Sequence, residues 1–482
     1  MTRTRVAFGA AGVALALAAF GCAAPRDDCP SVTPRVGAQR PQLDAAQARA
    51  YSRERVLGAA GRAGDLQHDG WDPLADTVIT GERLPAFQYR VDPALADGRT
   101  VFATVQAAVN RAHTDIRAGA QRAPRIYIGI APGRYRELVF VPSGPVPITL
   151  WGLGRLPHEV TIEEDLDAGV GAADYRRRFA RVYEAPGVHP EVAAFYRECI
   201  REDAASRSCM NVMWVRNDGF QLRNLAVANV PGQTRQRHQQ AVAFRSEGAD
   251  RVHLEQVQLH GMQDTLYLRT PTPDSTVRSF VHRSLIEGDV DFIYGAGTAY
   301  FLRSEIRFVG PRRGQTHGWV AAPSTHLRIP YGFVFEDCDF SADGNALPGR
   351  VALARQWFTG AGCSPYGSQA TACTLLGAGQ SASGPGQVRR ASIEAVGKMV
   401  VLRSRIGAHI DTAQPWAPWQ TDPAHRAYRP AQFDGDDFWT RLASAGLDPA
   451  ALGYARATPA QPWLAEFGNR DSSALSCPSG RP

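Results

Sequence analysis

From residue 220 onward, short apolar runs alternate with small or amide residues in a loose repeat. "FQLRNLAV" carries Asn224, "VHLEQVQL" Gln256 and "FVHRSLIEG" Ser284. "YFLRSEIRF" carries Ser304, "FVFEDCDF" Cys338 and "VVLRSRIGA" Ser404. The steps are 32, 28, 20 and 34 residues, and then 66 across an insertion. Short strands returning at such intervals, without helices between them, predict an all-β parallel β-helix. Each coil buries its apolar positions and stacks on the next at about 4.8 Å. The small or amide residue is expected to face inward at a corner, in a ladder of like residues. Cys338 falls in that ladder and reads as a buried, inert thiol. An antiparallel sandwich would need tight hairpin turns every 8 to 12 residues, and few are present.

The repeat sets the domain plan. Residues 1–22 read as an export signal: Arg3 and Arg5, then an apolar stretch from Val6 to Phe20 that is short for a membrane span. Cys22 follows Gly21 in the manner of a bacterial lipoprotein box, so it is the lipidation candidate. Residues 23–88 form a polar lead-in with helix expected over Leu43 to Arg62, residues 89–470 the β-helix domain, and residues 471–482 a tail. Residues 163–210 and 359–392 interrupt the rhythm and read as stapled surface loops that border the groove.

Charge and cysteines narrow the classes. A net charge of +6 without a basic block excludes nucleic acid as a partner, and the membrane is expected to matter only through a lipid anchor. The eight cysteines suit an oxidising compartment. Cys199 pairs naturally with Cys209 and Cys363 with Cys373, each ten residues apart, while Cys29 and Cys477 could staple the termini. No CxxC or CxxH spacing suggests a metal. The chain is expected to be monomeric and located in the periplasm, on the outer membrane as a lipoprotein, or secreted.

The chemistry falls on the same repeat. Gln240, Asp264 and Asp291 are spaced 24 and 27 residues apart, about one coil each, so they are expected on one face. Two carboxylates held close in a partly dry groove do not both ionise freely, which equips a nucleophile and a general acid. Gln263 and Gln240 offer N–H donors for an oxyanion. Arg355 would orient a carboxylate, and Trp357 or Tyr294 offers a platform for a sugar ring. Asp289 is expected to point away from Asp291 and face solvent, and His238, His260 and His282 to lie on the rim or surface.

"QAVAF", "QDTLY", "GDVDFIYG" and "LARQW" resemble, in order, the signature blocks of the pectin methylesterase family of carbohydrate esterases. "TVFATVQAAVNRA", "APGRYREL", "ITLWGLG" and "GFQLRNLAVANV" extend the resemblance, which runs from about residue 90 to 470. It implies a single-stranded, right-handed, pectin lyase-like β-helix without metal or cofactor, acting on pectin. It implies Asp291 as the nucleophile, Asp264 as the acid and base, Gln263 with Gln240 as oxyanion donors, Arg355 as the partner of the nucleophile, and Trp357 and Tyr294 as groove aromatics.

The chain departs from the family at Asp289, where Thr or Ser is usual, and in "LARQW", where "LGRPW" is usual. The lipoprotein-like start and long insertions resemble a bacterial branch described as acyl-CoA thioester hydrolases. Sequence therefore leaves open an esterase or acyl-CoA thioesterase acting on a smaller substrate, and a non-catalytic saccharide-binding envelope lipoprotein.

Overall fold

The computed structural model describes residues 30–472, apart from 33, 35–38, 82, 202–208, 230–239, 311–315, 369–372, 378–379, 381–383, 385 and 455–460. Cys22, Cys29, Cys477, His238 and the expected export signal lie outside the described residues.

The chain winds into a parallel β-helix with three faces. One inward row shows the packing: Ile128, Leu150, Leu222, Leu254, Val281, Phe301, Phe335 and Val401 stand in register on successive coils. None is more than 1% exposed, and Phe301 stacks on Phe335 at 4.3 Å between ring centroids. Each such side chain contributes about 1.5–3 kcal/mol by leaving water. Parallel coils with like residues above one another fill the interior without hairpins, which is why the antiparallel alternative fails.

The two ends of this column are closed differently. At the N-terminal end the helix Val105–Arg117 buries Val105, Ala108, Val109 and Ala112, and Glu137 accepts from the first two backbone N–H groups, Val105 and Gln106. At the C-terminal end the row reaches Glu466, which is fully buried. Arg40 of the lead-in meets it in a bidentate pair, Nε to Oε1 at 2.6 Å and Nη2 to Oε2 at 2.9 Å. A buried charge needs such a partner, since an unpaired one costs several kcal/mol.

The corners hold the ladder, with a correction. Arg283, Arg303, Asp337 and Arg403 take φ of 47–52°, and Ser284, Ser304, Cys338 and Ser404 follow them facing inward. Ser304 Oγ accepts from Ser284 N at 3.2 Å, Ser404 Oγ from Cys338 N at 3.0 Å, and Asn469 Oδ1 from Ser404 N at 2.9 Å. Asn224 and Gln256, expected in this ladder, instead occupy the left-handed corner itself at φ 52° and 53°. Leu225 and Val257 take the inward place. An amide tolerates the left-handed region better than most residues, so it suits the bend.

The lead-in and both insertions are more structured than the sequence suggested. The expected helix over Leu43 to Arg62 is two short helices, Ala45–Arg49 and Arg53–Gly58, followed by the strand Ala59–Arg62 paired with Asp65–His68. The lead-in packs Leu43, Tyr51, Val56 and Leu57 on the outside of one face. The first insertion is not a loop but two helices, Ala172–Tyr183 and Pro190–Cys199, which bury Tyr175, Phe179, Tyr183, Val192 and Tyr196. Those aromatics recur at helical spacing, a signal hidden by the surrounding charge. The second contains the paired strands Thr374–Leu376 and Gln387–Arg389 and the helix Arg390–Glu394. The bonds Cys199–Cys209 and Cys363–Cys373 staple them as expected, and Cys338 is free and buried.

Candidate active site

The third face carries the polar constellation. Its strands Leu266–Arg269, Val290–Gly295, Gly318–Pro323 and Val351–Arg355 are neighbours in one eight-stranded parallel sheet.

Asp264 and Asp291 stand opposite each other. Gln263 pairs with Val290, and Leu266 with Ile293, leaving two residues on each strand between those pairs. Asp264 therefore faces Asp291 across one coil spacing of about 4.8 Å. Both adopt left-handed backbone, φ 71° and 48°. On the other side, Asp291 and Phe292 oppose the single residue Val320, a β-bulge. A bulge re-aims a side chain, and here it lets Phe292 and Ile293 both enter the core while Asp291 turns out of it. Asp289 was expected in solvent and is fully buried, because it stands in the bend between the strands Leu285–Gly288 and Val290–Gly295, where strand alternation does not set its direction.

Arg355 holds Asp291 with both arms: Nε to Oδ1 at 2.8 Å and Nη2 to Oδ2 at 2.7 Å. Its guanidinium lies between two indoles, 3.9 Å from the centroid of Trp319 and 4.4 Å from that of Trp419. The rings fix the plane of the fork, and the fork fixes the carboxylate. Sequence reasoning found Arg355 but not the two tryptophans.

An aromatic row runs beside the aspartates. Trp214, Arg245, Tyr267 and Tyr294 are register partners on successive coils. Arg245 lies 4.2 Å from the Trp214 ring and 5.3 Å from Tyr267, which stacks on Tyr294 at 4.2 Å. Trp357 meets Tyr294 edge-on at 5.8 Å. Tyr294 is only 6% exposed, while Tyr267 and Trp357 are half-buried. Burial, then the negative charge of Asp264, pushes the Tyr294 phenol well above its ordinary value, with Asp291 adding to the effect. Both carboxylates are thus within electrostatic reach of one ring.

The two glutamines flank this pair. Gln263 and Gln240 are half-buried. The Gln263 carbonyl accepts from Ala241 N at 3.0 Å, and the Gln240 carbonyl from Ala168 N at 2.9 Å, which ties the first insertion to the groove. Further along, the first insertion covers the start of the row, with Phe195 packed edge-on against Trp214 at 4.2 Å. Of the histidines, His260 is half-buried beside Glu287. His282 departs from the rim expectation: it is 5% exposed, with Nδ1 2.9 Å from Glu255. Among the described residues no cluster of three or more His, Cys, Asp or Glu is placed to hold a metal ion.

Comparison with known proteins bears on this arrangement. A family profile described as Pectinesterase matches residues 200–360. The chain is 32% identical over 411 residues to pectinesterase B of Dickeya dadantii, covering 83% of this chain and 87% of that one. It is 33% identical over 360 residues to the putative acyl-CoA thioester hydrolase YbhC of Escherichia coli, covering 70% and 79%. The YbhC crystal structure superposes with a TM-score of 0.64 at 27% identity, covering 90% of this chain and 95% of that one. The rice weevil pectin methyl esterase shares the fold, with a TM-score of 0.65 at 23% identity and coverage of 91% and 98%. With its β-helix and a sequence match along most of its length, the chain belongs to the pectinesterase family of carboxylic ester hydrolases.

Proposed function

We propose that the groove demethylates pectin, releasing methanol and leaving free galacturonate. The observation that carries this reading is the in-register pair of left-handed aspartates, one of them clamped by Arg355.

Asp291 is the nucleophile. Its clamped carboxylate attacks the ester carbonyl carbon, and the carbonyl oxygen takes the electron pair. Gln263 and Gln240 donate N–H to that oxygen. As the carbonyl re-forms, the bond to the methoxy oxygen breaks and Asp264 gives it a proton, so methanol leaves and an acyl-enzyme anhydride remains. Asp264, now a carboxylate, takes a proton from water, and the hydroxide attacks the substrate carbonyl. Asp291 leaves as a carboxylate and the product is the free acid. Tyr267 and Trp357 supply the sugar platform, and Tyr294 stiffens it.

The same steps would cleave a thioester, and similarity to the protein named as an acyl-CoA thioester hydrolase makes that the competing reading. Cys22 is the proposed lipid anchor of an exported protein. Purified protein should be offered highly methyl-esterified pectin and, separately, a long-chain acyl-CoA. Methanol release with no thiol release supports the pectin reading. Thiol release without methanol replaces it.

A further inference from the structure

Trp319 meets the support of Asp291 at two points. Its backbone stands at the near edge of the bulge: Trp319 pairs in register with Val290, and its N–H donates to the Asp289 carbonyl at 3.2 Å. The bulge that turns Asp291 out of the core begins at the next residue. Its half-buried indole lies against the Arg355 guanidinium at 3.9 Å, contact distance for a stacked cation. One residue thus touches both the backbone that aims Asp291 and the fork that holds it.

Trp419 covers the fork from a different setting. It comes from beyond the second insertion, exchanges backbone hydrogen bonds with Arg429 at 2.8 and 3.0 Å, and packs into the groove cluster that contains Tyr294. Trp357 packs on the same cluster, and Trp319 stands outside it. A fork can lose its grip without losing its charge: a tilt of the guanidinium out of the carboxylate plane breaks one of the two N–H···O bonds. A ring against the guanidinium face resists that tilt and keeps competing water off it. Attack on an ester carbon needs one Asp291 oxygen aimed at it, and a misplacement of about 1 Å can cost about a hundredfold.

We propose that Trp319 is a positioning residue for the hydrolysis: it acts through Arg355, sets the aim of the Asp291 carboxylate, and does not touch the substrate. The inference rests on Asp291 as the nucleophile, and it holds for an ester or a thioester alike.

The test follows whichever product wild type releases, methanol from highly methyl-esterified pectin or thiol from a long-chain acyl-CoA, so a wrong substrate is told apart from a wrong role for Trp319. Trp319→Leu should lower kcat by about tenfold, the range of a desolvated cation–π contact, with KM within about twofold of wild type. Trp319→Phe restores a ring and should recover most of that loss, and it carries the test should the Leu variant not fold. In an Arg355→Met background, Trp319→Leu should cost little further, because the partner it acts through is gone. Trp419→Leu, by contrast, should raise KM as well. One reading needs no catalysis: hydrogen exchange at Arg355 Nε, identified as the resonance missing from Arg355→Lys, should quicken by about tenfold in Trp319→Leu. A raised KM with unchanged kcat in Trp319→Leu, a full further loss in the Arg355→Met background, or unchanged exchange at Arg355 overturns the inference.

Discussion

Arg355 grips both carboxylate oxygens of Asp291 from 64 residues away, through Nε at 2.8 Å and Nη2 at 2.7 Å. The pair is largely buried, with 11% of the Arg355 side chain and 8% of the Asp291 side chain exposed. Removing one partner leaves the other charge buried and unmatched, a loss of about 3–5 kcal/mol in comparable pairs. Arg355→Met should therefore lower kcat by about a hundredfold or more and also lower the unfolding midpoint. Arg355→Lys keeps the charge but not the fork or its seat between Trp319 and Trp419, so it should recover stability better than rate. Steady-state kinetics alongside chemical denaturation separates the two. A Met variant with wild-type kcat would remove Arg355 from the reaction.

Cys338 occupies a serine position. Its Sγ lies 3.4 Å from the Glu336 carbonyl and 3.5 Å from that of Phe301, the backbone partners a ladder hydroxyl would seek. Burial pushes its thiol up to about 12. Without denaturant it should resist thiol reagents at pH 8, reacting only as fast as the β-helix opens. Cys338→Ser should stay within about 1 kcal/mol of wild type, since the new hydroxyl inherits the ladder's bonds. Rapid labelling of the native protein would contradict the ladder assignment.

Acid should weaken the fold through buried histidines. His409 is 4% exposed, packs flat against Phe308, and is pulled down to about 4 by burial. An unfolded histidine binds its proton near pH 6.5, so between about 6.5 and 4 the unfolded chain holds more protons and stability falls as pH falls. The loss is up to about 3 kcal/mol. Glu137 acts oppositely: burial pushes it up to about 7, so its contribution falls as pH rises from 4.5. The difference between wild type and His409→Gln isolates the histidine. It should shift against wild type as pH drops through that window, as read by urea denaturation, and a pH-independent difference would contradict this.

Much of the fold was legible because the physics is local. Apolar positions recur once per coil, and signature blocks appear in order, so the parallel coils, both described disulfides and the shared face of Asp264 and Asp291 could be read from spacing and resemblance. What escaped depends on phase or on distant register. Asn224 and Gln256 sit one residue off the ladder, because corner and ladder are adjacent polar positions and only the backbone tells them apart. Asp289 was misplaced because it stands in the bend between two strands, where the corner and not strand alternation sets the side chain's direction. Trp319 and Trp419 reach Arg355 from other coils, the second across an insertion whose length hides the register. Tyr175, Phe179 and Tyr183 did carry a helical signal, obscured by the arginines between them.

The central claim is that Asp291 forms the covalent intermediate. The most direct measurement is methanol release from highly methyl-esterified pectin by wild type and by Asp291→Asn, with circular dichroism showing that both are folded. The account predicts steady release by wild type and a rate lower by about four orders of magnitude or more in the variant, as expected for loss of a nucleophile. Release by a folded Asp291→Asn at near the wild-type rate would contradict it.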